Sequence, residues 1–506
     1  MKIWFFLGGW TKGNISTSEI LCIQHLYREK DMAVIEDFAV HFLTAILSLA
    51  ILVLYLHGRS KKAPTEKHKL PPGSMGWPLI GENIQFLLST MSDHFPRSFI
   101  NSRQLRYGDI FSSNLFGRRV IISVNPEFNR FVLQNEGRLF QTSNTQGFID
   151  ITGKYGLLAL RGDLQRKIHG ITVNLLNHEN LRSHLMDNIE NLLINAMSEW
   201  DGKKIKLQDE CHQIILNLMA KQLLDLSPSK ETEEIARQFD NFSAAVVCLP
   251  LRIPGSTFYR GLQARKYLLN KIYEIMGERR KHPEVVHNDL LSKFLKEDPP
   301  LPDEFVVDTL LFLLFAGHET VSRSMAMSIK FLTDCPQALK QLQDEHDQIL
   351  KSNGNKKLSW DSYKSMKFTQ NVINEVLRMA NVAPFLFREA TQDIDTKGYQ
   401  IPKGQTILVF MSGVHTDENN YAAAFEFNPW RWESCDNGVS NNPLFAPFGG
   451  GGRLCPGYNL ARLELSLFLH HFVTKFRWKV HVNDKISNLP FPHMVKGLPL
   501  QLYSRD

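Results

Sequence analysis

The sequence predicts one large, mainly α-helical domain behind a single membrane-spanning helix, and three stretches carry that expectation. Phe38 to Leu56 is a run of 19 residues without a formal charge. Phe305 to Met327 is a long apolar run that reads as a buried helix with Gly317 in its middle. After Pro456 the residues Leu460, Leu463, Leu467 and Leu469 recur at roughly helical spacing, which predicts a further helix. A chain of 506 residues, 43% hydrophobic and 22% charged, can bury a sizeable core. No Gly/Ser linker, low-complexity tract or fixed-period repeat divides the region after residue 70, so it reads as one domain.

The front of the chain divides by composition. Residues 1–37 form an extension with no recognisable element, and Met32, six residues before the apolar run, is a candidate alternative start. Residues 38–56 approach the ~20 needed to cross hydrocarbon. Glu36 and Asp37 precede them, and Arg59, Lys61, Lys62, Lys67 and Lys69 follow, which places the main body on the cytoplasmic side. A cleaved signal peptide is the alternative, but the run is long for one and no small-residue cleavage site follows. Residues 57–78 are basic and then proline-rich, through Leu70-Pro71-Pro72-Gly73 and Gly76-Trp77-Pro78. Prolines resist helix and orient the chain stiffly, although an ordinary linker has the same composition. Residues 79–506 make the main body.

The net charge of +6 comes largely from such clusters and not from basic and aromatic residues interleaved along a groove, so nucleic acid is excluded as a partner. Six scattered cysteines without CxxC spacing argue for a reducing compartment and against zinc.

Four stretches carry chemistry. In Ala316-Gly317-His318-Glu319-Thr320 the glycine costs about 1 kcal/mol against alanine. Either the helix is simply buried and kinked there, or it opens so that a ligand approaches its backbone and Glu319 and Thr320 relay protons. Glu375 and Arg378, three apart, share one helical face, as many surface ion pairs do. Arg431, in the aromatic stretch Phe425 to Trp432, could join the same carboxylate and so fix a loop. The fourth stretch, Phe448 through Gly451, Arg453, Cys455 and Gly457, sets glycines and one cysteine before a helix. The glycines let backbone pass close to a flat ligand, the helix start favours negative charge on sulfur, and Arg453 can pair with an acidic group. A phosphate-cradling loop would need Gly-Lys-Ser/Thr, which is absent; a buried inert cysteine is the other alternative.

Together, in this order, these residues resemble the haem-thiolate monooxygenases, the cytochromes P-450, from about Leu70 to the C-terminus. The resemblance implies a helical domain with a small β-rich region towards its N-terminal side, haem b as cofactor and Cys455 as axial ligand of its iron. It implies proton handling by Thr320 and Glu319, and a structural triad of Glu375, Arg378 and Arg431. Phe448, Gly451 and Arg453 belong to the haem-binding loop. Arg453 and Arg388 become propionate partners, joined by Arg166 or His169, because Gln165-Arg166-Lys167-Ile168-His169 departs from the usual pattern on that helix.

Within the family, the hinge and the ending Arg453-Leu454-Cys455-Pro456-Gly457 are similar to the plant group that oxidises brassinosteroids, other sterols, triterpenes and diterpene acids. Phe148, Leu249, Leu251, Ala316, Phe385, Leu386 and Met494 are then expected to line an apolar pocket for a rigid hydrophobic substrate. The chain has no flavin or nicotinamide motif, so electrons from NADPH would come through a cytochrome P450 reductase. O2 is the co-substrate and the endoplasmic reticulum membrane the location. A haem-thiolate isomerase or dehydratase, or a non-catalytic haem or ligand-binding protein, are the alternatives; the presence of Thr320 disfavours the former.

Overall fold

The computed structural model describes residues 41, 43, 44, 47, 48, 51 and 52, then 69–77, 80–92, 95–354, 357–433, 442–488 and 491–505. Most of the expected span 38–56 and the basic stretch after it lie outside the described residues. The chain divides into two units, residues 1–67 with 77–79 and residues 68–76 with 80–506. In the first, the seven described positions from 41 to 52 are helical and exposed, among them Leu43, Leu47, Ile51 and Leu52.

The second unit is mainly helical. A mixed sheet combines β1 (Ile110–Leu115), β2 (Arg118–Ser123), β3 (Phe140–Thr142), β4 (Leu386–Ala390) and β5 (Thr406–Val409) in the order β1-β2-β5-β4-β3. The β2–β5 pair is parallel and the others antiparallel. Three strands come from the N-terminal side and two from far along the chain, so the β-rich region is not wholly N-terminal. Alternation along a strand sends successive side chains to opposite faces. Ile121, Ile407 and Val409 accordingly join one apolar cluster, while Val120, Ile122 and Leu408 join another with Phe86, Phe99 and Phe410. Residues 71–74 belong to this body: the Ser112 N–H donates to the Pro72 carbonyl (2.8 Å) and the Ser74 N–H to the Ser112 carbonyl (3.1 Å).

The helices that position the site are α1 (Pro126–Gln134), α2 (Gly162–Leu175), α3 (Leu207–Leu224), α4 (Lys230–Val246), α5 (Thr257–Lys281), α6 (Asp303–Asp334), α7 (Lys367–Ala380) and α8 (Tyr458–Lys475). Asn125 caps α1 by accepting the Phe128 N–H at 2.9 Å, and Ser229 with Thr232 forms a capping box on α4. Among the described residues α6 alone is long and apolar enough to cross a membrane, yet most of it is buried inside the domain. It is therefore the core helix against which α3, α7 and α8 pack.

At Gly317 α6 runs on as one unbroken helix, so the backbone is not opened there. The reason for glycine is tertiary: a Cβ there would lie 2.4 Å from Cε and 2.6 Å from Sδ of Met219. Its missing side chain leaves room for the end of Met219 from α3.

Candidate functional site

Residues 442–457 form the loop that delivers Cys455 to the start of α8. Gly451 has a φ of +64°, and a Cβ there would lie 2.1 Å from the Leu133 carbonyl oxygen in α1, so no other residue passes without moving the backbone. The Cys455 N–H donates to the Phe448 carbonyl at 3.0 Å and closes the loop. The Phe448 ring meets Tyr458 edge-on, with centroids 4.7 Å apart.

Gly457 is the N-cap of α8, so Cys455 stands just outside the helix. Cys455 is half-buried by its own surface, yet the packing around it removes enough solvent to push the thiol up, with the Gly457 N–H opposing the rise. The helix start does favour negative charge, but here desolvation outweighs it. A metal cation reverses that balance, because a coordinating thiol is deprotonated outright.

Beside the loop, Arg453 and Arg388 converge on one carboxylate. Arg453 Nε donates to Glu136 Oε1 at 2.6 Å, and its two terminal nitrogens donate to the Leu157 (3.2 Å) and Leu160 (2.6 Å) carbonyls. Arg388 Nε lies 2.6 Å from Glu136 Oε2, an ion pair whose angle falls short of a hydrogen bond and leaves both atoms without a hydrogen-bond partner. The side chains of both arginines and of Glu136 are buried.

His169 Nε2 is 2.7 Å from the Leu454 carbonyl, so it braces the loop. Arg166 instead pairs with Asp163 on the exposed side of α2. That pairing, in the open, corrects its expected place beside the cofactor.

Glu375 is the centre of a second network and is wholly buried. Arg378 holds it through two nitrogens at 2.9 and 2.8 Å, and Arg431 Nε donates to it at 2.9 Å. The Asn428 N–H (3.0 Å) and Trp432 Nε1 (3.0 Å) complete its shell, neither of which the spacing pointed to. Arg378 also donates to the His415 and Ala424 carbonyls, both at 2.7 Å.

His415 Nε2 in turn accepts the Ala446 N–H at 3.2 Å, with Nδ1 facing Asn381 Oδ1 at 3.0 Å. Burial, reinforced by the charge of Arg378, pushes His415 down to about 3. It is therefore a neutral ring that donates through Nδ1 and accepts through Nε2. The network thus reaches from α7 to the loop that carries Cys455.

On α6 the Thr320 hydroxyl donates to the Ala316 carbonyl at 2.8 Å. Glu319 is bound by Arg323 at 2.9 and 2.5 Å, with His318 Nδ1 3.5 Å from its other oxygen. Burial alone would raise Glu319, but His318 and Arg323 together hold it well below the usual carboxylate range. The residue expected to relay protons with Thr320 is thus paired with Arg323.

Of the expected pocket residues, Phe148 and Ala316 are half-buried against the main core and Met494 is buried in it. Leu386 reaches Gly449, where a Cβ would be 3.5 Å from its Cδ1. Phe385 is taken up by the aromatic cluster of Phe86, Phe116, Phe387 and Phe410. Leu249 and Leu251 are 76% and 50% exposed, which corrects their placement as pocket walls. They lie on the loop between α4 and α5.

These features define a site for a flat, acidic, metal-bearing group bound through one sulfur. Cys455 could supply that sulfur, Gly451 lets the loop pass the Leu133 carbonyl, and the two guanidiniums carry an excess of one positive charge over Glu136. Haem b fits each of these. Residues 71–502 match the family model described as cytochrome P450, and the chain belongs to that family.

It is 54% identical over 481 residues to cytochrome P450 720B2 of Pinus taeda, covering 93% of this chain and 98% of that one. It is 52% identical to the abietadienol/abietadienal oxidase of Pinus taeda, covering 92% and 99% of the two chains, and 40% identical to the cholesterol 22-monohydroxylase CYP90B52 of Paris polyphylla, covering 91% and 98%. Among solved structures, the retinoic acid-bound cyanobacterial CYP120A1 superposes with a TM-score of 0.77 at 26% identity, over 87% of this chain and 100% of that one. The protein is accordingly a monooxygenase that uses haem b, O2 and electrons from a redox partner.

Proposed function

We propose that this chain oxidises a diterpenoid alcohol or aldehyde resembling abietadienol and abietadienal. The observation that carries this reading is the 52% identity to the oxidase of those compounds over nearly the whole of both chains, against 40% to the cholesterol hydroxylase.

When bound, haem would use O2, two electrons and two protons to insert one oxygen atom into the substrate and release the other as water. In this reading Cys455 holds the iron, and Arg388 and Arg453 hold the propionates. Glu375, Arg378 and Arg431 keep the cysteine loop in place through His415 and Ala446. Thr320 keeps a proton at Oγ1, shared with the Ala316 carbonyl 2.8 Å away. Glu319 has to take up a proton and leave Arg323 before it can resupply Thr320.

The exposed apolar side chains of the helical positions from 41 to 52, and the basic residues after them, support a single-pass anchor in the endoplasmic reticulum with the catalytic domain cytoplasmic. There an NADPH-cytochrome P450 reductase supplies the electrons.

The test is the carbon monoxide difference spectrum of the reduced protein beside Cys455→Ser, followed by turnover with NADPH, reductase, and abietadienol or cholesterol. A strongly red-shifted Soret band lost in the variant, with abietadienol oxidised in preference, is the expected result. Preference for cholesterol would move the assignment to the sterols, and a wild type without the band would overturn the role of Cys455.

A further inference from the structure

The two buried arginines beside the cysteine loop come from distant parts of the chain. Arg388 is central in β4, paired on one side with Thr142 of β3 and on the other with Ile407 of β5. Arg453 lies in the loop before α8. Like charges brought together out of water repel, and long side chains lose rotamer freedom when ordered. Glu136 answers both costs. It follows the end of α1, where the turn is fixed by the Gly137 N–H donating to the Phe140 carbonyl at 2.8 Å. Its two oxygens are divided between the arginines, Oε1 to Arg453 and Oε2 to Arg388, each at 2.6 Å.

One carboxylate between two guanidiniums leaves one positive charge uncompensated in a buried place. Arg388 is 2% exposed, so water does little to screen that charge. Oε2 of Glu136 and Nε of Arg388 also lack a hydrogen bond of good angle.

We propose that Glu136 is a positioning residue for the cofactor: it holds Arg388 and Arg453 as a preset pair that receives the carboxylates of haem. This rests on the assignment of the two arginines to the propionates. Preorganising two donors lowers the ordering cost of binding, so removal of Glu136 acts on haem retention through the propionates and not through the iron–sulfur bond.

The experiment reconstitutes the haem-stripped full-length protein in detergent with either haem or haem dimethyl ester, whose propionates are esterified and uncharged. Release is then timed by transfer to apomyoglobin for wild type, Glu136→Gln and Glu136→Asp. Wild type is expected to release the ester about tenfold faster than haem. Glu136→Gln is expected to release haem about tenfold faster than wild type while releasing the ester at the wild-type rate, with an unshifted carbon monoxide band. Glu136→Asp, which keeps the charge, is expected to fall between.

Equal acceleration for haem and ester would make Glu136 a general prop of the fold, and unchanged haem release would remove its role; either overturns the proposal. If wild type itself does not distinguish haem from ester, the arginines do not meet the propionates, and that underlying assignment fails first. Should Glu136→Gln not fold, Glu136→Asp supplies the same comparison.

Discussion

Glu464 sits on α8, the residue 1% exposed and neither carboxyl oxygen hydrogen-bonded. Burial pushes it up to about 8 from an ordinary 4.5, with Gln222 of α3 opposing the rise. A neutral acid costs far less to bury than an ionised one, whereas the unfolded chain gains free energy as the same group ionises in water. Its contribution to stability is therefore complete below pH 4.5 and is lost progressively as pH rises to 8. At 1.36 kcal/mol per unit, the fold forgoes about 3 kcal/mol at pH 7, about 2 at pH 6 and about 4 at pH 8.

Glu464→Gln keeps the shape and never ionises, so it should recover these amounts. With an unfolding entropy of about 2.1 cal/mol/K per residue over residues 71–502, 3 kcal/mol corresponds to a rise in Tm of about 3 °C at pH 7. Calorimetry of wild type and variant in detergent at pH 6, 7 and 8 should show the gap widening with pH. A gap that is constant with pH, or a variant less stable than wild type at pH 8, would refute the reasoning.

Three further outcomes follow from the same geometry. Gly451→Ala places a Cβ against the Leu133 carbonyl in a left-handed backbone; the backbone alone costs about 1–2 kcal/mol, and the carbon monoxide band should be lost while circular dichroism still reports helix. Arg378→Lys leaves the buried Glu375 without its two-pronged partner, a loss of about 3–5 kcal/mol that should appear as protein recovered without haem. Acid has its own limb: burial pushes His212, His346 and His415 down to about 3 and His470 to about 2, with nearby charges and imidazoles adding to the effect. These rings are neutral in the fold, so their stability is full above pH 6.5 and falls as pH drops, by about 1 kcal/mol per ring and pH unit while they act independently. Denaturant midpoints at pH 7 and 5.5 should show that loss.

How much of this could be read beforehand depends on the range of the forces involved. The helices α6 and α8 were legible because burial imposes a helical period on neighbouring residues. The cysteine loop was legible because a backbone that must pass another at close range admits only glycine, which leaves a mark in the sequence. Glu375 and Arg378 were visible because their partnership spans one helical turn. Arg431 was reached only by supposing that an aromatic stretch returns to them.

Glu136 left no such mark, since it meets Arg453 across 317 positions and its neighbours Asn135 and Gly137 read as an ordinary turn. The reason for Gly317 was hidden in the same way. Its conformational cost is local and visible, but the space it leaves is taken by Met219 on another helix, a contact that local reasoning could not see. Leu249 and Leu251 failed for the converse reason: apolarity tells which side chains leave water in a core, not which ones a loop between two helices keeps exposed. The residues that sequence reasoning reached are those whose constraint is paid within a few positions, and the charge balance around the two arginines, set by three distant segments, is a property that only the folded chain possesses.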